Sequence, residues 1–255
     1  MKDCGWAPGT PAMVLCAGRG ERMRPFTDSC PKPALAVRGK PLLHWHLDAL
    51  ARAGVGRVVC NTAWLAEQVV QCALQYAPGA ITFPYLDWDV VFSHEGRDFG
   101  TALETAGGIC RAMPLLFPHA QDGPDDGIFW VLAADVFAPG FAFAPDIVDH
   151  FAHSGLLAHL WLVPNPAHHP DGDFGIDGCL ATHASPRYTY SSLGLYRRAL
   201  FAPPWCDIPL GNPDGITRRL ADVLRPAIEA GSIGATLYPG VWHDVGTPQR
   251  LAALG

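Results

Sequence analysis

The residues best placed to do chemistry lie in the stretch 15–33. A short apolar run, residues 12–16, ends in a turn where Gly18 and Gly20 let the main chain approach a ligand and aim successive N–H groups at an anion. Arg19, Arg22, Arg24 and Lys32 follow, in a chain whose formal net charge is −6. A cationic loop in an acidic protein asks for an anionic ligand, and the glycines make a polyphosphate the natural one. Pro31 and Pro33 restrict the backbone on both sides of Lys32, which suits a lysine held against a ligand better than one free in solvent.

Two better-known phosphate loops fail on spacing. A dinucleotide fingerprint needs a third glycine where this chain has Met23. A Walker loop needs Gly-Lys-Ser/Thr, whereas Gly39-Lys40 is followed by Pro41. A plain glycine-rich β-to-α turn with surface arginines is the other alternative, and the proline-flanked lysine weighs against it.

The elements that must carry this loop alternate along the chain. Strands are expected at 12–16, 57–61, 89–93, 129–133, 156–163 and 188–196. Helices are expected at 41–53, 64–76, 105–113 (ended by Pro114), 216–230 (kinked near Pro226) and 247–253. The alternation predicts an α/β layered fold: a mixed, mainly parallel central sheet flanked by helices. Residues 1–11 read as a flexible leader before one domain, 12–255, with the nucleotide-binding half at about 12–135 and the sugar-binding half at about 136–255. The stretches 119–127 and 203–215 read as surface loops, the second as an insertion or flexible flap.

Composition bounds the class. With 255 residues, 49% hydrophobic and 16% charged, the chain can bury a sizeable core. It contains no apolar run of the roughly eighteen residues that a membrane span needs and no signal-peptide pattern. Its 8 cysteines are scattered without Cys-x-x-Cys, which reads as reduced thiols in a cytoplasmic protein. The acidic balance disfavours nucleic acid. A monomer or weak homodimer without a membrane partner is expected.

Several motifs then combine. Leu15-Cys-Ala17-Gly18-Arg19-Gly20-Glu-Arg22-Met-Arg24-Pro-Phe-Thr, with Pro31-Lys32-Pro33, resembles the signature of sugar-1-phosphate nucleotidylyltransferases. Asn61-Thr-Ala-Trp-Leu, Glu104-Thr-Ala-Gly107-Gly108, Asn165-Pro-x-His168-His169-Pro, Gly172-Asp173-Phe174 and Trp242-His-Asp244-Val-Gly-Thr recur in the same order in one branch. That branch is the N-acetylmuramate α-1-phosphate uridylyltransferases of peptidoglycan recycling in the bacterial cell wall. The likeness covers roughly 12–254 and implies a Rossmann-like, GT-A-like nucleotidyltransferase fold.

The resemblance implies UTP and a sugar 1-phosphate as substrates, with Mg²⁺ held by Asp135 and Asp244. Asp135 follows an apolar strand, where open α/β sheets place ligands, though taken alone each aspartate reads equally as a turn or cap residue. The catalytic set is then Lys32, Arg22, Asp135 and Asp244. Leu15, Ala17, Gly18, Arg19, Gly20 and Arg24 serve the nucleotide, joined by Gly107 and Gly108 from the far side. Asn61 has two readings, a nucleoside contact or a turn cap. The sugar falls to Glu104, Asn165, His169, Asp173, Ser191 and Ser192, and the lactyl carboxylate of N-acetylmuramic acid needs a cation or imidazole, supplied by His168-His169 with Arg187 in reserve.

Two departures from the family pattern stand out. Ala133-Ala134 replaces a glycine-containing pair before Asp135, and a left-handed Ala134 would cost about 1 kcal/mol. Ser192 stands where the family tends to have glycine. Two other functions remain open on sequence grounds. One is a related enzyme, such as a mannose-1-phosphate guanylyltransferase or a glucose-1-phosphate uridylyl- or thymidylyltransferase. The other is a non-catalytic regulator that binds sugar nucleotides.

Overall fold

The computed structural model describes residues 9–76, 89–118 and 127–255. Most of the expected leader and of the 119–127 loop lie outside the described residues. The chain first forms β1 (Ala12–Leu15), α1 (Phe26–Ser29), β2 (Ala36–Val37), β3 (Lys40–Pro41), α2 (Leu42–Arg52), β4 (Arg57–Thr62) and α3 (Ala66–Leu74). Next come β5 (Asp89–His94), α4 (Glu95–Phe99), α5 (Glu104–Leu116), β6 (Ile128–Ala133), β7 (Val136–Phe137), α6 (Pro145–His153) and β8 (Ala158–Val163). It ends with β9 (Phe174–Asp177), β10 (Leu180–Thr182), β11 (Arg187–Arg197), α7 (Leu220–Glu229), β12 (Ile233–Leu237), β13 (His243–Asp244) and α8 (Pro248–Ala252).

A 9-stranded mixed sheet runs in the order β5-β4-β1-β6-β11-β8-β12-β10-β9. Its first four strands are parallel, β11 runs antiparallel between β6 and β8, and β8 pairs in parallel with β12. Side chains alternate across the strands, so successive residues enter different cores. Met13, Phe129 and Val131 pack on one face with Ile109 and Met113 of α5 and Val223 of α7. Val14, Trp130 and Leu132 pack on the other with Leu47 of α2, Val69 of α3 and Phe151 of α6. Apolar burial on both faces is why β1 and β6 read as continuous hydrophobic runs.

Helix α5 continues past Pro114 to Leu116. Proline has no N–H to give the carbonyl of Cys110 four residues back, and Gly211 supplies that bond instead, N–H to Cys110 O at 3.0 Å. Helix α7 starts at Leu220, four residues later than the pattern suggests. Residues 216–219 are held out of it by α5: Arg218 N–H donates to Leu103 O at 3.2 Å, and Arg218 O accepts from Ala106 and Gly107 at 2.9 and 3.2 Å. The 203–215 stretch is docked rather than free, with Cys206, Ile208 and Asn212 buried. Strands β9, β10 and β12 and helix α6 are additions to the expected set, together with the short β2, β3, β7, β13, α1 and α4; β9 and β10, of four and three residues, are too short to carry a clear alternation. No helix among the described residues is long and apolar enough to cross a membrane.

Candidate active site

The carboxyl ends of β1, β4 and β6 converge on a cavity of about 380 Å³, the position where parallel α/β sheets hold ligands. Leu15, Ala17, Gly18, Arg19, Lys32 and Asp135 line it. Gly20 sits at φ 70°, and a Cβ there would come within 2.8 Å of the Lys32 side chain, so the tight turn requires glycine. A Cβ at Gly18 would meet no atom within 4 Å, so protein packing does not demand glycine at this point of the cavity wall.

Lys32 occupies a short 3₁₀ turn between its two prolines, and its Nζ lies 2.5 Å from Asp135 Oδ2. The lysine is 15% exposed and the carboxylate 26%, which keeps the pair at the cavity surface rather than in bulk solvent. The loop arginines differ from one another. Arg19 lines the cavity with its guanidinium 3.8 Å from the Trp64 ring centroid, and Trp64 Nε1 donates to Thr27 O. Arg22 and Arg24 are exposed and outside the cavity wall, Arg24 pairing with Asp28 at 3.1 Å. The structure therefore brings Lys32 and Arg19 to the cavity and leaves Arg22 and Arg24 outside it.

Beneath the loop lies a buried polar network that spacing could not reveal. Asn61 Oδ1 accepts from Cys16 N–H at 2.7 Å, while Asn61 Nδ2 donates to Glu95 Oε1 at 2.7 Å. Glu95 Oε2 also accepts from Leu103 N–H at 2.8 Å. Asn61 thus ties the end of β1 to the chain after β5. Of its two sequence readings, the one the geometry favours is capping, although it also lines the cavity. Burial raises the Glu95 carboxyl above its ordinary range, partly offset by these donors. Behind Asp135, burial lowers His46 to about 4, so the imidazole is neutral near pH 7 and adds no charge to the site.

Gly107 and Gly108, expected at the nucleotide, are not among the residues that line the cavity. A Cβ at Gly107 would lie 2.4 Å from Ile216 O, and one at Gly108 2.5 Å from Glu95 Oε1. These glycines let α5 pack closely against the 212–218 segment and the Asn61–Glu95 pair.

Backbone strain also lies elsewhere than expected. Ala134 is not left-handed; it is buried and donates its N–H to Leu15 O at 3.1 Å. The left-handed residues at the cavity are Glu104 at φ 60° and Ser192 at φ 61°. Ser192 interrupts the pairing of β11 with β8 between Tyr190 and Gly194, which accounts for a position suited to glycine. Replacing Ser192 with glycine is expected to stabilise the protein by up to about 1 kcal/mol, whereas valine should cost about 2 kcal/mol. Thermal melting of both variants tests this, and equal midpoints would show an unstrained site.

A second cavity, about 360 Å³, adjoins the first and shares Leu15, Glu104, Thr105 and Ser192 with it. Asp173, Tyr190 and Arg219 are added to its wall. Asp173 is fixed from both sides, its Oδ1 3.1 Å from His169 Nε2 and its Oδ2 accepting from Tyr190 N–H at 2.8 Å. Three residues expected at the sugar are hydrogen-bonded within the protein and lie outside this wall. Asn165 Nδ2 donates to Pro170 O and Arg187 O, and its Oδ1 accepts from Thr189 Oγ1. Ser191 is buried and donates to Trp161 O at 2.6 Å. His169 braces Asp173 without lining the cavity. Arg187 is exposed outside that wall, and His168 turns the other way, 3.3 Å from Asp244. Glu95, Thr105, Tyr190 and Arg219 line the two cavities without having been expected there: Thr105 and Tyr190 adjoin the expected Glu104 and Ser191 in the chain, whereas only the fold brings Glu95 and Arg219 to the cavity walls.

Asp135 and Asp244 come from facing segments. Asp244 pairs with Val136 across the β7–β13 ribbon, and Val245 N–H donates to Asp135 O at 2.8 Å. Their side chains have different companions. Asp244 Oδ2 lies 3.2 Å from Arg250 Nη1 and 3.3 Å from His168, lining a separate cavity of about 380 Å³. No group of three metal-ligating side chains occurs among the described residues. A nucleotide-bound Mg²⁺ needs no such cage, since one or two carboxylates with phosphate and water oxygens suffice. The oxygen donors of Asp135, at the cavity surface, fit that requirement, with Asp244 on the adjoining strand.

Residues 12–155 match the MobA-like NTP transferase domain. The chain is 36% identical over 249 residues to the N-acetylmuramate α-1-phosphate uridylyltransferase of Neisseria meningitidis serogroup B, covering 94% of each. It is 27% identical over 247 residues to the catalytic β subunit of a Drosophila melanogaster mannose-1-phosphate guanylyltransferase, covering 94% of this chain and 60% of that protein. Its fold is shared with a Bacillus anthracis protein assigned as a glucose-1-phosphate thymidylyltransferase, at TM-score 0.69 and 18% identity, covering 96% of this chain and 94% of the other. HddC of Yersinia pseudotuberculosis, solved with GMP-PN, superposes at TM-score 0.67 and 16% identity, covering 96% of this chain and 97% of the other. With a domain match over more than half its length and a full-length relative above 30% identity, the chain belongs to the sugar-1-phosphate nucleotidylyltransferases.

Proposed function

We propose that the protein transfers the uridylyl group of UTP to N-acetylmuramic acid α-1-phosphate, releasing pyrophosphate, as a Mg²⁺-dependent step of peptidoglycan recycling in the cytoplasm. The observation that carries this reading is the 36% identity to the Neisseria uridylyltransferase, which runs over 94% of both chains and so takes in the second cavity as well as the loop.

In this reading the loop cavity takes the nucleotide and the adjoining cavity the sugar. An oxygen of the sugar phosphate attacks the α-phosphorus in line, the bond to the β-phosphate oxygen breaks, and pyrophosphate leaves with that electron pair. A phosphate monoester is already an anion, so no base has to remove a proton. The protein's task is to bring two anions together and to stabilise charge on the α-phosphoryl and leaving groups. The Gly18–Gly20 turn and Arg19 serve the β- and γ-phosphates, with Arg22 and Arg24 drawing the triphosphate in from outside. Lys32, poised by Asp135, meets the α-phosphate or the incoming phosphate. Asp135 would hold Mg²⁺ together with phosphate oxygens, joined by Asp244 once its carboxylate turns from Arg250 and His168, and the bound ion would add positive charge beside the α-phosphoryl group.

The test is a pyrophosphate-release panel with Mg²⁺, in which UTP, dTTP, CTP and GTP are each paired with the 1-phosphates of N-acetylmuramic acid, N-acetylglucosamine, glucose and mannose. UTP with N-acetylmuramic acid 1-phosphate is expected to give the highest kcat/KM. A higher value for GTP with mannose 1-phosphate, or no turnover with any pair, would overturn the reading.

A further inference from the structure

Three charged side chains line the second cavity among the described residues: the carboxylates of Glu104 and Asp173 and the guanidinium of Arg219. Both oxygens of Asp173 are engaged within the protein, by His169 and by the Tyr190 N–H. Glu104 stands at the junction with the loop cavity and repels any anionic substituent that lacks a partner. Arg219 is the one cation in this wall among the described residues.

Its backbone is fixed and its head group is not. The preceding residue is bonded in both directions to the start of α5, through Leu103 O and the N–H groups of Ala106 and Gly107. Buried Asn212 anchors the same segment by donating to Gly107 O and Ile216 O and accepting from Ile216 N–H. The Arg219 side chain, in contrast, is 67% exposed; among the described residues it hydrogen-bonds across its own helix start to Asp222, at 3.0 and 3.3 Å, and the Glu104 carboxylate also attracts its charge. An exposed pair of this kind contributes little to stability, so one carboxylate partner readily replaces another. Guanidinium geometry favours a bidentate carboxylate.

We infer that Arg219 is the specificity residue for a sugar 1-phosphate that carries a carboxylate substituent, exchanging Asp222 for that carboxylate when the sugar enters the second cavity. The inference rests on the proposed reading of that cavity as the sugar site. A neutral hexose gains nothing from Arg219, whereas an acidic one gains a paired charge and escapes repulsion by Glu104. The residues that the sequence offered for this task, His168, His169 and Arg187, lie outside the cavity wall.

The probes are UDP-N-acetylmuramic acid and UDP-N-acetylglucosamine, which differ only in the lactyl ether, titrated calorimetrically into the full chain. The wild type is expected to prefer the acidic ligand by roughly tenfold or more, and Arg219→Ala to bring that preference toward one through an affinity loss of roughly 10- to 30-fold for the acidic ligand. Arg219→Lys should restore part of the preference, and added salt should weaken it. An equal loss for both ligands would mean a contact to a shared group, and no loss would mean no contact; either result overturns the inference while leaving uridylyl transfer intact. If the wild type turns over no N-acetylmuramic acid 1-phosphate in the substrate panel, the functional reading itself has failed, and that is seen before any variant is made.

Discussion

Lys32→Ala is expected to lower kcat by roughly 10²- to 10³-fold while the protein stays folded, as happens when one preorganised donor to a developing charge is removed. Lys32 is where the constraints of the site meet: two prolines fix its backbone, Gly20 makes room for its stem, and Asp135 holds its amine at 2.5 Å. The pair sits at the cavity surface, so losing the lysine leaves Asp135 partly solvated and should cost only about 1 kcal/mol of stability. Arg22→Ala gives the comparison. That side chain is outside the cavity wall, and its loss should raise the KM for the triphosphate more than it lowers kcat. Steady-state kinetics with pyrophosphate detection, alongside circular dichroism, distinguishes the two. A Lys32→Ala enzyme with near-normal kcat would remove Lys32 from the reaction.

Asn61→Leu is expected to be the most damaging small change to the fold. It strips the buried Cys16 N–H of its acceptor and Glu95 Oε1 of a donor in a single step. Each orphaned group costs on the order of 1–3 kcal/mol, so a total near 3 kcal/mol follows, or roughly 6–12 °C in Tm for a chain of this size. Turnover should fall as well, because Cys16 leads directly into the cationic loop. Combined with Glu95→Gln, the losses should sum to less than their separate values, since both variants disturb one network. Additive losses would show that Asn61 and Glu95 act independently.

Much of this protein was legible in its sequence because the relevant signals are local. Residues 12–16 and 129–133 are apolar on both faces, which only a sheet covered by helices accommodates, and β1 and β6 are found there as central parallel strands. The turn at Gly20, the proline-flanked Lys32 and the carboxylate at the end of β6 likewise depend on near neighbours in the chain. Other motif residues have partners within the protein and lie outside the cavity walls. Gly107, Asn165 and Ser191 belong to recognisable motifs, yet each is engaged by backbone from a distant segment. A motif marks a residue type that the fold requires, and packing alone decides whether the requirement is a ligand or a neighbouring turn.

The sequence by itself determined that the chain carries a glycine-rich, cationic loop at the end of the first strand of an α/β sheet, because glycine freedom, proline restriction and clustered cations act within a few residues of one another. The tertiary structure decided which of those cations face the cavity. It sent Arg22 and Arg24 outward and stacked Arg19 on Trp64, leaving Lys32 against Asp135. It also brought Arg219 to the second cavity, through carbonyl and amide bonds to the start of α5 that no spacing in the sequence encodes. The physical reason is the same in each case: an ion pair or a lining position depends on which distant segment fills the space opposite, and that is settled only when the sheet and its helices close on one another.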